Sequence, residues 1–438
     1  MRILHYTLGM PPARTGGLVN YVLDLANEQS KIGHEILLMY PGKLKLLKKT
    51  HIKQKFINGN SNIKFFEIIN SLPLALFGGI SDPIKFMETC DNEIYRKFLK
   101  ENKPDVIHVH TIMGIHKEFF FEAKKLNVPI IFTTHDYYGL APEPNFYFDG
   151  LEYSNENTVE NWIRASNKAF SVKKLRVFQF KYYSMIRKIV KKCAFFKVHN
   201  EKKIVDIGIS STLKMKQNYK ALKNYYMDIF SLISFYHFNS TIAADIYRGN
   251  LKSENLKGEI ISITNSNIKH VHIFNHKEKL KDRKIKIGYI GPYKEYKGFN
   301  DFIYLAQDIN DSKYEFHIFG DDKMIEFQNV INHGRYQPSL LDKVYDEIDI
   351  LIVPSQWKET FGLVVLEALH FNKMVFVSQN VGAQDVLSEE FIFNSMEDLK
   401  VKLQNLQDVK EKINTNYPLK TIKEHCLEII NLYERIIK

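Results

Sequence analysis

The chain has 438 residues, 45% of them hydrophobic and 13% aromatic, with only three cysteines. This composition supplies two domains with sizeable cores and excludes a disordered chain or a small disulfide-stapled scaffold. A net charge of +11 implies an acidic partner, whether phosphorylated substrate, nucleic acid or anionic membrane.

Residues 2–7 read as a strand, 8–15 as a loop and 18–31 as a helix with Leu18, Val22, Leu25 and Ala26 on one face. With a second strand at 35–40 they form a parallel βαβ unit. Nothing at the start matches a signal sequence and no apolar run reaches the ~20 residues that span a bilayer, so the expected location is the cytoplasm. The pair Gly16-Gly17 admits close approach of a bound diphosphate to a helix N-terminus, and reads equally well as a plain helix start. Strands follow at 64–68, 105–110 and 129–134, ending in His108 and His110 and in His135 and Asp136. Ligands of open α/β sheets collect at such carboxyl ends. Alternation puts His108 and His110 on one strand face, which suits sheet packing, and no compact spacing supports zinc.

The aromatic stretch 137–147, broken by Pro142 and Pro144, is expected to form a cleft loop that stacks sugar rings or lipid. Segment 170–235 reads as two or three helices. Between Lys173 and Lys203 eleven basic residues face one acid, Glu201, interleaved with aromatic side chains. That face fits an anionic lipid surface or a solvated basic helix pair. The cysteines, Cys90, Cys193 and Cys426, have no redox or metal spacing. A strand at 234–238 leads into a helix, and a strand at 259–264 closes the first domain, set at residues 1–268. Residues 269–284 are a polar linker.

The second domain, residues 269–418, opens with a strand at 286–290 and the loop Gly291-Pro292-Tyr293-Lys294-Glu295-Tyr296-Lys297-Gly298 before a helix from Phe299. Strands at 314–319 and 330–333 end in Gly320-Asp321-Asp322 and Gly334-Arg335-Tyr336. The apolar run to Val353 is a buried parallel strand, residues 354–360 a loop, and Phe361-Gly362 a helix start. Glu359 lies in that loop. Glu367 falls inside the helix among Leu363, Val364, His370 and Phe371, so its carboxylate needs a partner: a sugar hydroxyl, a nearby lysine or a backbone amide. The last strand is 373–378, and a final helix spans about 419–437.

Glu359 and Glu367 with Phe361-Gly362 between them resemble the E-x7-E signature of glycosyltransferase family 4, the retaining, nucleotide-sugar-dependent transferases. The resemblance implies the GT-B fold: two Rossmann-like, doubly wound parallel-sheet α/β domains facing across a cleft, with the helix at 419–438 packing back on the first. It implies donor contacts at Gly16, Gly17, Lys294, Lys297, Gly334, Arg335, Glu359, Phe361, Gly362, Leu363 and Glu367, and reaction-centre roles for His135, Glu359 and Lys297. Glu359 takes sugar hydroxyls and Glu367 the ribose. Lys297-Gly298 match the family's G-R-x4-K-G loop, but Pro292 stands where that loop has its phosphate-gripping arginine. The family generally works without a metal, so none is expected, nor any cofactor beyond the nucleotide-sugar donor. The expected acceptor is a glycan or lipid-linked acceptor, nucleic acid is not an expected partner, and the expected location stays the cytoplasm, with peripheral attachment to the inner face of the plasma membrane through the basic segment 173–203 left open. A GT-B epimerase and a non-catalytic partner subunit are the alternatives.

Overall fold

Burial on both faces explains why the strands read as continuous apolar runs. In β1 (Arg2–Tyr6) Ile3 packs on one side while Leu4 and Tyr6 pack on the other, and β2 (Glu35–Pro41) repeats the pattern with Ile36 and Leu38 against Leu37 and Met39. The computed structural model describes residues 1–179, 212–269, 283–406 and 419–438, except 46–47, 57–61, 77, 253–255, 310 and 324.

After β2 come β3 (His51–Lys55), β4 (Ile63–Ile69), β5 (Val106–Val109) and β6 (Ile130–Thr133). A short hairpin of β7 (Tyr147–Phe148) and β8 (Leu151–Glu152) precedes β9 (Phe235–Phe238) and β10 (Gly258–Ile260). Among the described residues these make an eight-stranded sheet in the order β10-β9-β6-β5-β1-β2-β4-β3, parallel except for β3. The sequence reading missed β3, whose HIKQK carries little apolar signal. It is an edge strand, where lysines discourage pairing with another chain. Helix α1 (Gly17–Lys31) joins β1 to β2, and α2 (Asn92–Asn102), α3 (Lys117–Lys125), α4 (Val159–Ala165), α5 (Val172–Phe178), α6 (Leu213–Ser231) and α7 (Thr241–Leu251) follow in turn.

The second sheet comprises β11 (Ile285–Ile290), β12 (Tyr314–Phe319), β13 (Val330–Asn332), β14 (Ile350–Val353), β15 (Met374–Ser378) and β16 (Ile392–Phe393). Its order, β13-β12-β11-β14-β15-β16, is wholly parallel. The direction in which successive strands are added reverses between β11 and β14 here and between β1 and β5 in the first sheet. At such switch points the following loops splay apart and leave a crevice. Helices α8 (Phe299–Asp308), α9 (Leu341–Asp346), α10 (Leu363–His370) and α11 (Met396–Gln404) complete this half.

Two expected features differ. The strand set at 259–264 stops at Ile260, because the chain then bends toward the second sheet, burying Ile261 and Ile263 and carrying Asn265 to Glu367. In the basic segment, Arg176 of α5 turns inward, donating to the Ser71 carbonyl and to Gln179. Residues 180–203, which carry the rest of that expected membrane face, and nearly all of the linker lie outside the described residues. No described helix is long and apolar enough to cross a membrane.

The final helix, α12 (Ile422–Ile437), starts with a Thr421–Glu424 capping box. It buries Cys426, Ile429, Leu432 and Tyr433 in the cluster that holds Tyr21, Val22 and Leu25 of α1. Because Ile429 is fully buried there, Ile429→Ala is expected to cost about 3 kcal/mol in urea unfolding followed by circular dichroism. A loss under about 1 kcal/mol would show that α12 contributes little to the first domain.

Candidate active site

Seven described helices carry an Asp, Ser or Thr cap that accepts a hydrogen bond from the first turn. Helices α3, α8 and α9 lack one, α8 starting at Gly298 with φ of 71°, and so do α1 and α10, which begin at Gly16 with φ of 137° and Gly362 with φ of 103°. Their leading N–H groups are therefore left for something other than the protein's own side chains. The N-termini of α1 and α10 meet, since a Cβ on Gly17 would lie 3.6 Å from Leu363 Cδ1. Two positive helix ends from different sheets thus converge on one crevice.

Between the loops after β11 and β14 lies a small cavity of about 40 Å³, lined by Gly291, Pro292, Lys297, Ser355, Glu359 and Val364 among others. Its floor is an ion pair. Lys297 Nζ donates to Glu359 Oε1 at 2.6 Å, and Ser355 Oγ donates to Oε2 at 2.5 Å. Glu359 is 8% exposed, so without these donors its charge would be strongly disfavoured. The Glu359 backbone is pinned as well, its N–H donating to Asn380 and its carbonyl accepting from Gly382. Lys297 is also packed over the Trp357 ring at 5.1 Å.

Glu367 has partners that the sequence reading did not name. Asn265 and Asn267 each donate an amide hydrogen to its Oε1, at 2.8 and 3.0 Å, and Tyr345 reaches Oε2 at 3.4 Å. Burial pushes its carboxyl above the usual range while these donors pull it back. No lysine takes part in this set. The asparagines come from the loop after β10, a hundred residues away, and no local spacing signals them.

His135 follows β6. Its carbonyl accepts from Thr360 Oγ1 of the second half at 2.9 Å, so it sits beside the Glu359 loop. Its ring donates to or accepts from His110 at 3.2 Å and meets Tyr21 edge-on at 4.8 Å. Burial drives its pKa down to about 3, which keeps the ring neutral. His5, His108 and His110 bring ring nitrogens within 4.8 Å of one another. Each of those nitrogens is engaged in a hydrogen bond with the protein, so a cation there would have to displace them.

The remaining sequence-predicted positions divide. Lys294 is exposed at the crevice rim. Gly334 accepts from the Gly320 N–H, and Arg335 is exposed and paired with Asp322 at 3.2 Å. Phe361 is 1% exposed, so its ring belongs to the core and only its backbone is near the crevice. A larger correction concerns 137–147. Tyr137, Tyr138, Leu140 and Phe146 are buried core, and Tyr147 spends its hydroxyl on Gln356. The stretch thus packs these rings into the core of the first domain and does not present them as a platform for a sugar.

Residues 15–172 match the family model described as Glycosyltransferase Family 4, and residues 272–415 that described as Glycosyl transferases group 1. An uncharacterised 42.6 kDa protein in the cps region of Klebsiella pneumoniae is 25% identical over 299 residues, 67% of this chain and 62% of that protein. The likeness thus spans about three-fifths of that relative's length. Sucrose-phosphate synthase from Thermosynechococcus elongatus superposes with a TM-score of 0.56 and 12% identity over 99% of this chain and 98% of its own. A trehalose-6-phosphate structure from E. coli bound with UDP-2-fluoro glucose gives 0.53 and 12% over 100% and 96%. At these identities the solved structures establish the fold, two Rossmann-like sheets in the GT-B arrangement. With one family model matched on each sheet, this chain belongs to the GT-B glycosyltransferases of family 4 and group 1.

Proposed function

We propose that this protein is a retaining glycosyltransferase that moves a hexose-type sugar from a nucleotide-diphosphate donor, most simply a UDP-sugar, to a glycan or lipid-linked acceptor of a surface polysaccharide. One observation carries the reading: Lys297 and the uncapped first turn of α10 border a cavity floored by Glu359, and the uncapped N-terminus of α1 approaches α10 at Leu363. That is a diphosphate site with a sugar-hydroxyl acceptor beside it. The UDP-2-fluoro glucose bound to the E. coli neighbour and the UDP bound to HepE from Anabaena support the donor class. The cps-region relative supports the surface-polysaccharide setting. Work at the cytoplasmic membrane face, assisted by segment 173–203, belongs to the same proposal.

In this reading the bond between the anomeric carbon and the diphosphate oxygen breaks, and its electron pair leaves with the diphosphate. Lys297 and the N–H groups following Gly16 and Gly362 stabilise that charge. The acceptor hydroxyl attacks the same face, and its proton passes to the departing phosphate oxygen. Glu359 takes hydroxyls of the sugar, which requires Lys297 to shift from its carboxylate to the phosphate. Glu367, already oriented by two asparagine amides, takes the ribose. No step calls for a metal.

Pro292 favours one second reading, a non-catalytic partner subunit. The proline lines the cavity where the family's arginine would grip phosphate bidentately. Titration calorimetry with UDP, GDP, ADP and CMP and their sugar conjugates, with and without magnesium, is expected to show metal-independent preference for UDP species. Failure of all of them to bind would defeat the transferase reading. Glu359→Ala and Glu367→Gln are expected to lower donor turnover at least 100-fold with the circular dichroism spectrum retained, and wild-type turnover in either would remove its assigned role. Pro292→Arg, which returns a guanidinium to the cavity wall, is expected to tighten nucleoside-diphosphate binding about tenfold, the size of one charge-assisted contact. Unchanged affinity would mean that Lys297 and the helix ends already carry the phosphate.

A further inference from the structure

The histidines beneath the crevice form a chain whose proton positions can be deduced. It begins at an unambiguous acceptor, the Ile261 carbonyl, 2.8 Å from His237 Nε2. A carbonyl only accepts, so His237 carries its hydrogen on Nε2 and its Nδ1 is an acceptor. Thr133 must therefore donate its hydroxyl hydrogen to His237 Nδ1, at 2.8 Å, and accept from His108 Nε2, at 2.6 Å. His108 Nδ1 then accepts from the Tyr433 hydroxyl at 2.5 Å, and Tyr433 in turn accepts from Gln29 Nε2 at 3.3 Å. This fixes the Gln29 amide, whose Oε1 faces His5 Nε2 at 2.7 Å. His5 donates to it, so His5 Nδ1 accepts from His110 Nε2 at 3.0 Å. By the same logic His110 Nδ1 accepts from His135 Nε2 at 3.2 Å.

Each link is forced once its neighbour is set, provided that all the rings are neutral. Burial lowers all five, His5 to about 4, His237 and His135 to about 3, and His108 and His110 well below the usual value. The last atom is His135 Nδ1. It makes no hydrogen bond among the described residues, on a ring that is partly exposed and adjoins the Glu359 loop.

We propose that Gln29, His5 and His110 are positioning residues that lock His135 as the Nε2–H tautomer, presenting Nδ1 to the crevice as a hydrogen-bond acceptor for a hydroxyl of the donor sugar. The sugar contact rests on the donor reading above, whereas the tautomer does not. Locking removes the state in which Nδ1 carries a hydrogen, so no part of the binding energy is lost in selecting the acceptor form.

The test uses the full chain labelled with 15N-histidine, and long-range proton–nitrogen correlation at pH 7 with signals assigned by His→Asn substitution. The expected result is a neutral Nε2–H tautomer at His5, His110 and His135. Gln29→Met, similar in size but unable to accept from His5, is expected to mix the tautomers at His135 and to lower donor kcat/KM about tenfold. Gln29→Glu, which keeps an oxygen facing His5, is expected to retain the tautomer and lie within about threefold of wild type. Tyr433→Phe releases the Gln29 amide while keeping the ring's packing, and serves should Gln29→Met not fold. An Nδ1–H tautomer or a charged ring at His135 in the wild type overturns the relay. Tautomers that mix in Gln29→Met while donor kinetics stay unchanged overturn the sugar contact. Because the spectra need no turnover, they decide the relay even if the transferase reading fails.

Discussion

Everything at the crevice depends on how closely the loops after β11 and β14 approach each other. A Cβ on Gly298 would lie 1.7 Å from the Pro354 carbonyl oxygen, and Gly298 has φ of 71°. Only glycine permits both that backbone conformation and that contact. The close approach seats Lys297 against Glu359 and sets the start of α8 beside the strand that leads to α10. A side chain at 298 would push the ammonium and the carboxylate apart, leaving a buried carboxylate and a partly buried ammonium without their partners. The ion pair is thus a consequence of backbone packing, and the site's charge balance rests on a residue that carries no charge.

The same economy governs the helix ends. Seven described helices are closed by Asp91, Thr158, Ser171, Thr212, Ser240, Ser395 and Thr421, each worth about 1 kcal/mol, while α3, α8 and α9 start without such a cap. At Gly16 and Gly362 the chain forgoes that stabilisation at the two N-termini that meet. A capping side chain there would occupy the space and the N–H groups that an anion needs. Two helix ends facing one another also repel, so their juxtaposition is most comfortable when negative charge lies between them.

Local periodicity carried most of the fold. The strands at 2–6, 35–41, 314–319 and 374–378 were legible because both faces are buried and the runs are apolar. The edge strand His51–Lys55 was not, because a solvated edge selects against that signal. In the site, Lys297, Glu359 and Glu367 were readable from residue type, spacing and family resemblance. Their partners Ser355, Asn265 and Asn267 were only partly so: Ser355 is near in sequence, but the asparagines reach Glu367 through a bend that follows the early end of β10. The aromatic stretch 137–147 misled for a related reason. Composition shows what a loop could contact, but not that the core will claim its rings first.

The histidines show the limit of residue-by-residue reading most clearly. His108 and His110 resemble sheet-packing residues one strand at a time, and metal ligands when taken together. Neither view contains the feature that matters, which is direction. Buried polar groups must be satisfied, and here each is satisfied by a neighbour that has only one way left to bond. The polarity set by the Ile261 carbonyl is therefore passed through rings from β9, β5, β1 and α12 and carried to His135. Other buried polar atoms without a protein partner include Thr7 Oγ1 after β1, Asn239 Nδ2 after β9 and Trp357 Nε1 after β14. These three lie just beyond strand carboxyl ends, the side of each sheet where ligands of this fold class collect.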